Sequence, residues 1–393
     1  MSEPTPPPAR DAAPPLDAGH QGNEREIPTK LQTYFELMAK VGASDLHIKT
    51  DSVTHVRVKS QMRPVKEEPL PRQQVEEMAD SLLTSGQRSY FVHHGQVDIA
   101  HEEPGGDRFR INIFLQRGEP SIAVRRVTRN IPNFEQLHLP PVLEKVTQAS
   151  GGLVLLAGPT GCGKSTTIAS MIEYINTQRR CHIVTIEDPI EYLYEDKKAL
   201  ISQREIGIDV QSFQDALRSL LREDPDIVLI GEMRDRDTFE AALQASETGH
   251  LVFGTVHAST APQTVSRILD MFPPESRDNI MQSFAYNLQA IICQKLLPSV
   301  ADGIDRVPAV EILLSTATVR GLLEDGRDAD LADVIRSGEG DGMQCFSRSL
   351  FDLIEKDLID PKAAYSVAPN AEELRMMMKG ISQAKTGLVN RQM

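Results

Sequence analysis

The pattern of hydrophobic positions along the chain changes at Lys30. Residues 1–28 contain seven prolines among small and charged residues. Such a composition buries too little apolar surface to fold, so a disordered tail is predicted. Beyond it, apolar residues recur at steps of three and four, which predicts an amphipathic helix ended by Gly42. The apolar positions of this helix are Leu31, Tyr34, Phe35, Met38 and Val41.

Short predicted strands and helices then indicate a small α+β domain over residues 29–135. A second helix runs from Pro71 to near Gly86, and the turn signal Gly105-Gly106-Asp107 separates two of the later strands. The hairpin spacing favours an antiparallel sheet. The predicted strands are Ser44–Thr50, Thr54–Ser60, Gln96–His101, Arg108–Gln116 and Ser121–Thr128.

A different pattern, in which buried runs alternate with helices, fills the second half. Three prolines interrupt residues 130–141 and indicate a linker over 136–148, followed by a domain over 149–372 and a flexible tail over 373–393. Alternation of this kind predicts parallel strands covered by helices. Beyond Pro273 the chain is predicted to be mostly helical, with one strand at Val307–Leu314 and a last helix at Asp341–Leu358. The earlier strands are Gly152–Ala157, Cys181–Glu187, Asp226–Gly231 and Leu251–His257, and the earlier helices are Thr166–Asn176, Ser212–Arg222, Asp237–Glu247 and Pro262–Met271.

The segment between the first of these strands and its helix carries a phosphate-binding pattern: glycine, four residues, glycine, lysine and a hydroxyl residue. Lys164 supplies charge for the β and γ phosphates of a nucleotide, and the Ser165 hydroxyl is a suitable Mg²⁺ ligand. A glycine-rich turn with a chance lysine is the alternative, and the flanking strand and helix argue against it. The predicted nucleotide-binding residues are Gly158, Thr160, Gly161, Cys162, Gly163, Lys164, Ser165 and Thr166.

Acidic residues end two of the other predicted strands. Gly231 occupies the position where phosphate-loop enzymes usually keep an aspartate, so Glu232 is predicted to hold the metal through water. Glu187, Asp188 and Glu191 follow the strand that begins at Cys181. Glu187 and Glu191 are the candidates for orienting and deprotonating the attacking water. At least one of these three acids is expected to be structural, since Asp188 before Pro189 also suits a turn.

Histidines and arginines complete the candidate site. His257 is predicted at the carboxyl end of its strand, near the γ-phosphate, and His250 at the far end. A satisfied core histidine is the alternative for both. Four arginines lie on predicted strands of the first domain, namely Arg108, Arg110, Arg125 and Arg126. In a ring assembly one of them could act across a subunit boundary as an arginine finger, or they could be ordinary surface residues of the sheet.

Composition narrows the class of protein. A net charge of −14 provides no bulk attraction for nucleic acid, although a local basic groove stays open. The four cysteines are scattered without paired spacing, which predicts a reduced cytoplasmic protein and no zinc site. No apolar run approaches the ~18 residues of a membrane span. We therefore expect a cytoplasmic protein that can still dock on a membrane complex.

One segment carries a specific resemblance. The residues from Leu221 to Asp235 match the signature of the secretion and type IV pilus ATPase superfamily. Together with the acidic segment Glu187–Glu191, the segment His250–His257 and Ala43–His47, it makes the chain similar to type IV pilus retraction ATPases of the PilT/PilU type. The resemblance covers roughly residues 30–375.

The resemblance implies a fold and a set of roles. It implies a hexamer of two-domain subunits, with a smaller PAS-like α+β domain before an α/β, RecA-like P-loop NTPase domain. Lys164 and Ser165 would bind phosphate and Mg²⁺, and Glu191 would be the catalytic glutamate. Glu232 would support the metal, and His257 would sense the γ-phosphate of ATP.

It also implies partners and a direction of work. Arg110 and Arg125 match arginines that the first domain of such proteins presents to nucleotide. The expected function is ATP-driven retraction of type IV pili at the cytoplasmic face of the inner membrane. The implied partners are an inner-membrane platform protein and, as a further candidate, a second pilus motor ATPase. Assembly and secretion relatives usually carry a four-cysteine zinc insert and a longer N-terminal region, which this chain lacks. The last predicted helix resembles that of retraction motors, although its stripe of Met343, Phe346, Leu350 and Ile354 also fits simple packing.

Three alternatives remain open from the sequence. The chain could be an accessory nucleotide-binding ring subunit coupled to another motor, an assembly or secretion ATPase, or, against its charge, a nucleic-acid motor. One departure from the family pattern is Lys59–Arg63, which stands where a glycine turn is usual and leaves the first-domain hairpin uncertain.

Overall fold

The structure is a computed structural model that describes residues 28–58, 61–103 and 107–380. Its contacts divide the chain into two units. The smaller unit holds the chain up to Asn130 together with Ile190–Leu193 and Gly207–Gln211. The larger unit holds Ile131–Pro189, Tyr194–Ile206 and the chain from Ser212 onward. The predicted proline-rich tail lies outside the described residues, apart from Pro28.

The smaller unit is built on a six-stranded sheet with strand order β3-β2-β1-β6-β5-β4, in which all paired neighbours are antiparallel. Phe109, Ile111 and Ile113 are fully buried on one face of β5, whereas Arg108 and Arg110 alternate onto the other face. Its elements are α1 (Thr29–Val41), β1 (Asp45–Lys49), β2 (His55–Val58), β3 (Gln61–Pro64), α2 (Arg72–Leu82), α3 (Ser85–His94), β4 (Gln96–Glu102), β5 (Arg108–Gln116) and β6 (Glu119–Val127).

Two features of this unit differ from the sequence prediction. The helix expected to reach Gly86 ends at Leu82, and α3 begins after Thr84, with Gly86 inside it. A capping box between Thr84 and Gln87 starts this new helix, because each side chain bonds the other residue's backbone N–H. Strand β3 was not predicted, and it pairs with β2. The positions Lys59, Ser60, Gly105 and Gly106 lie outside the described residues.

The larger unit contains a seven-stranded sheet with helices packed against it. Its strands are β7 (Gly152–Ala157), β8 (His182–Glu187), β9 (Leu200–Glu205), β10 (Ile227–Ile230), β11 (Leu251–Val256), β12 (Leu288–Pro298) and β13 (Arg306–Leu314). Its α-helices are α4 (Val142–Thr147), α5 (Lys164–Gln178), α6 (Phe213–Leu220), α7 (Arg236–Glu247), α8 (Ala261–Leu269), α9 (Arg277–Asn287), α10 (Ala317–Glu324), α11 (Leu331–Ser337), α12 (Phe346–Glu355), α13 (Pro361–Val367) and α14 (Ala371–Met378). Short 3-10 helices lie at Leu221–Glu223, Pro274–Ser276, Asp328–Asp330 and Gly338–Asp341.

Parallel pairing, as predicted, organises this sheet. The strand order is β13-β12-β7-β11-β10-β8-β9, and every neighbouring pair is parallel except β12 with β13. All residues of β7, β10 and β11 are buried, because helices cover the sheet, and this explains their continuous apolar sequences. The parallel arrangement brings the carboxyl ends of β7, β8, β10 and β11 to one edge.

Several elements of the larger unit depart from the sequence prediction. Strands β9 and β12 were not predicted, and α12 begins at Phe346 rather than at Asp341. Helix α4 lies within the predicted linker and buries Leu143 completely in the core. Helix α14 occupies the start of the predicted tail. The stripe of Met343, Phe346, Leu350 and Ile354 is buried, as its packing interpretation requires.

Candidate active site

The phosphate-loop sequence connects β7 to α5, which begins at Lys164. Gly158 and Gly163 have φ angles of 154° and 92°, which residues with a side chain rarely adopt. Neighbouring atoms also restrict these positions: a Cβ on Gly158 would lie 2.4 Å from Cys162 Sγ, and one on Gly163 would lie 2.7 Å from Gln294 Nε2. Gly161, which is exposed, would meet no atom within 4 Å.

Lys164 is folded against its own loop. Its Nζ donates to the carbonyl oxygens of Gly158, at 2.8 Å, and Pro159, at 3.2 Å, and the residue is 9% exposed. The ammonium group is thereby held at the loop that the sequence predicts to enclose phosphate. Ser165 and Thr166 follow in the first turn of α5 and are half-buried, Thr160 is exposed, and Cys162 is buried.

Gln294 is a contact residue of this loop that the sequence analysis missed. It lies on β12 and is 2% exposed. Its Nε2 donates to the Cys162 carbonyl at 2.7 Å, and its Oε1 accepts from Thr167 Oγ1 at 2.8 Å. The sequence signal for it is a glutamine within the apolar run Leu288–Leu297, a position where a polar side chain requires buried partners.

Glu232 and His257 meet at the same edge of the sheet. The His257 Nε2 lies 2.7 Å from Glu232 Oε1, and Arg234 Nη2 lies 2.5 Å from Glu232 Oε2. The hydrogen bond from Arg234 lowers the pKa of Glu232, and the nearby His257 adds to the effect. Glu232 is therefore an ionised carboxylate at neutral pH, positioned two residues beyond β10 and beside the end of β11.

Glu187, by contrast, is turned into the sheet. It ends β8, is buried, and accepts hydrogen bonds at Oε1 from Thr185 Oγ1 at 2.8 Å and Gln203 Nε2 at 3.3 Å. These partners belong to β8 itself and to its neighbour β9. Asp188 follows in a cis peptide bond with Pro189 and is exposed. The arrangement of Glu187 therefore fits a structural role better than water activation.

Glu191 is exposed and lies in the segment Ile190–Leu193, which packs with the smaller unit. The neighbouring Tyr192 forms an isolated parallel bridge with Thr128 of that unit. Its role as the catalytic glutamate stays a prediction from resemblance.

The two histidines of β11 lie at opposite ends of the strand, as predicted. His250 Nδ1 lies 2.9 Å from the Ala245 carbonyl and 3.0 Å from Thr248 Oγ1, so local contacts account for it. The six residues of β11 separate it from His257 by roughly 20 Å. His257 is thus the histidine that reaches the acidic edge.

The two arginines of the smaller unit are paired across its sheet. Arg110 on β5 and Arg125 on β6 are register partners on the face opposite the core. Arg125 Nε donates to Asp45 Oδ1 at 2.9 Å, yet its side chain is 71% exposed. Arg110 Nη2 lies 4.0 Å from Asp98 Oδ1. Their action on nucleotide across a subunit boundary stays a prediction.

The predicted magnesium ligands fit the chemistry of that ion. Mg²⁺ typically takes one or two protein oxygen ligands and completes its shell with water and phosphate oxygens. The Ser165 hydroxyl and the ionised Glu232 are ligands of this kind. Within residues 28–58, 61–103 and 107–380, no three or more His, Cys, Asp and Glu side chains form a group that could hold a metal ion by itself.

Comparison with known proteins shows which family the chain belongs to. The family model described as "Type II/IV secretion system protein" matches residues 21–316. The chain belongs to this family. It is 40% identical over 326 residues to the "Type IV pilus retractation ATPase PilT" of Pseudomonas aeruginosa, an alignment that covers 83% of this chain and 94% of the relative. It is 36% identical over 350 residues to the "Type IV pilus ATPase PilU" of the same bacterium, covering 89% and 91%.

A solved structure of a related pilus motor has a similar fold. The crystal structure of the pilus retraction motor PilT with bound ADP has a TM-score of 0.81 to this chain at 39% identity, covering 88% of this chain and 98% of PilT. The predicted fold class, α/β with a RecA-like ATPase domain on a parallel sheet, is confirmed. Among the described residues, no helix combines the length and apolarity that crossing a bilayer requires.

Proposed function

We propose that this protein is an ATPase that powers the retraction of type IV pili. One observation carries the proposal. The Lys164 loop follows β7, and the Glu232–His257 pair follows β10 and β11, so both lie at the same edge of one parallel sheet. The relatives named as pilus ATPases support it over most of the chain's length. The PilT structure with ADP supports nucleotide as the ligand of this loop.

The side chains present suggest how hydrolysis proceeds. Lys164 exchanges its two carbonyl partners for phosphate oxygens of ATP, while main-chain N–H groups of the glycine loop bind the same anion. Ser165 directly and Glu232 through water would hold Mg²⁺, which supplies positive charge against the phosphates. Glu191 accepts a proton from the attacking water. At the same time the water oxygen bonds to the γ-phosphorus, and the bond between the γ-phosphorus and ADP breaks. His257, bonded to Glu232, responds to the γ-phosphate.

The motor works as an assembly in this proposal. A homo-hexamer would place Arg110 and Arg125 of one subunit at the nucleotide of its neighbour, where guanidinium groups stabilise the charge on the transferred phosphoryl group. The ring would act in the cytoplasm on an inner-membrane platform protein, with a second pilus motor ATPase as a further candidate partner. The exposure of Arg125 and its position opposite Arg110 support this assignment.

Deletion of the gene in the source organism, followed by counting of surface pili, tests the direction of work. Excess filaments that do not retract are expected, and the wild-type gene, but not one encoding Lys164→Ala, should restore retraction. Cells without pili would contradict retraction and indicate an assembly motor. Restoration by a hydrolysis-deficient Glu191→Ala protein would instead indicate an accessory ring subunit.

A further inference from the structure

A buried amide on the strand beside β7 joins the phosphate loop to the sheet. Gln294 places both polar ends of its side chain on the loop and its helix: the amide nitrogen on the Cys162 carbonyl and the amide oxygen on the Thr167 hydroxyl. A buried amide is costly unless both ends find partners. Here both partners come from residues on either side of Lys164, and neither comes from Gln294's own strand.

The backbone of the same residue also shapes the loop. The Gln294 carbonyl oxygen lies 2.7 Å from the position of a Cβ on Gly158, and its side-chain nitrogen lies at the same distance from a Cβ on Gly163. Gly161, between them, has no such neighbour within 4 Å. Two of the three loop glycines are therefore required by close approach to Gln294 as well as by their φ angles. Gln294 therefore contacts the loop through its backbone as well as through both ends of its side chain.

We infer that Gln294 is a positioning residue that holds the phosphate loop ready for nucleotide before nucleotide arrives. A preorganised loop binds its anion more tightly because less conformational entropy is lost on binding. Gln294 does not touch the reacting atoms in this account, so its loss should weaken nucleotide binding more than it slows the chemical step. The nucleotide part of the inference rests on the proposed ATPase function, whereas the ordering of the loop does not.

Hydrogen–deuterium exchange of the nucleotide-free, full-length protein tests the ordering directly. In Gln294→Leu, which has a similar volume and no polar end, we expect peptides spanning residues 158–167 to exchange roughly tenfold faster than in wild type. Peptides from β10 should keep their wild-type rate. Unchanged exchange across the loop would overturn the inference.

Gln344→Leu is the matched control. Gln344 also donates its amide to a backbone carbonyl, that of Val310 at 3.1 Å. Val310 is the register partner of Gln294 on β13, but no described hydrogen bond of the Gln344 side chain reaches the loop. Its loss should leave the 158–167 peptides at the wild-type rate. Equal acceleration in both variants would show a general loosening of the unit and would contradict a specific role for Gln294.

Kinetics of ATP turnover provide a second readout. Gln294→Leu should raise KM about tenfold and change kcat less than about threefold, whereas Gln344→Leu should change neither. A large fall in kcat with an unchanged KM would contradict the positioning role.

Thr167→Val removes one of the two hydrogen bonds of the Gln294 side chain. It should change the exchange rate and KM in the same direction as Gln294→Leu but by less, so the inference stays testable if Gln294→Leu does not fold. Wild-type turnover no higher than that of Lys164→Ala would refute the ATPase proposal, and the exchange data would still decide the role of Gln294.

Discussion

Glu187 and Glu232 lie near the ends of two neighbouring parallel strands, β8 and β10, one register position apart, and they have different surroundings. Glu187 is buried, and Thr185 and Gln203 bond one of its oxygens from within the sheet. Glu232 keeps part of its side chain in solvent, and the Arg234 guanidinium and the His257 ring contact its two oxygens. The two acids therefore differ in their partners as well as by one position along the strands.

The comparison shows which acid can take part in phosphate chemistry. An acid that accepts hydrogen bonds from a hydroxyl and an amide group of its own sheet is expected to stabilise that sheet. An acid bonded by an exposed arginine and a partly exposed histidine lies where water or a metal ion can compete for its oxygens. We therefore predict a structural role for Glu187 and a functional role for Glu232, and four experiments test this prediction.

The largest expected difference is in ATP turnover. Glu232→Gln should lower the turnover of the purified protein roughly 10- to 100-fold, the range for residues that orient a metal's ligands. Glu187→Gln should stay within about threefold of wild type, because the amide oxygen still accepts from Thr185. Steady-state phosphate release measures both. A comparable loss in Glu187→Gln would contradict its structural assignment.

The two ends of β11 provide the next comparison. His257→Ala removes a partner of Glu232 and should lower turnover about tenfold. His250→Ala should have little effect on turnover, because this histidine bonds only Ala245 and Thr248 among the contacts described for it. Assays at saturating ATP separate the two variants. If both reduce turnover equally, the assignment of His257 to the site fails.

The loss of folding stability should be larger for substitution of Glu187 than for substitution of Glu232, the reverse of the order expected for turnover. Glu187→Ala leaves the Thr185 hydroxyl and the Gln203 amide without this acceptor, which should reduce the free energy of unfolding by about 1–3 kcal/mol. Glu232→Ala should cost less, because its partners remain accessible to water. Urea unfolding of the two variants measures this order. A larger loss in Glu232→Ala would show that its ion pairs stabilise the fold more than Glu187 does.

The smallest expected effect is on pH dependence. Because Arg234 lowers the folded-state pKa of Glu232, the carboxylate contributes stability above its unfolded pKa, and this contribution is lost as the pH falls through the folded value. Wild type should therefore lose slightly more stability than Glu232→Gln on acidification below pH ~5. Arg234→Gln should remove most of the difference. Parallel pH profiles for wild type and Glu232→Gln would contradict the shifted pKa.

Local signals in the sequence were sufficient for the parallel sheet and the phosphate loop. Continuous apolar runs such as Gly152–Ala157 mark strands covered on both faces, and the loop pattern fixes where the nucleotide would bind. The same logic placed His257 and Glu232 at one edge, because parallel strands share a carboxyl end. The acids Glu187 and Glu232 could not be ranked in this way, because the ranking depends also on Gln203 and His257, which belong to other parts of the sheet.

Long-range contacts account for what the sequence did not reveal. Gln294 bonds Cys162 and Thr167, more than a hundred residues away, and no periodicity records such a contact. Strand β12 was read as helical, although it is a buried strand between β7 and β13. In the smaller unit, the cap formed by Thr84 and Gln87 outweighed the helix-ending preference of Gly86.

The most direct test of the central claim is ATP turnover by the purified full-length protein with Mg²⁺, compared with the Lys164→Ala variant. If the loop and the Glu232–His257 pair form a hydrolytic site, wild type should exceed Lys164→Ala by about 100-fold or more, since the lysine charge acts on the phosphates. Equal rates in the two proteins would contradict it.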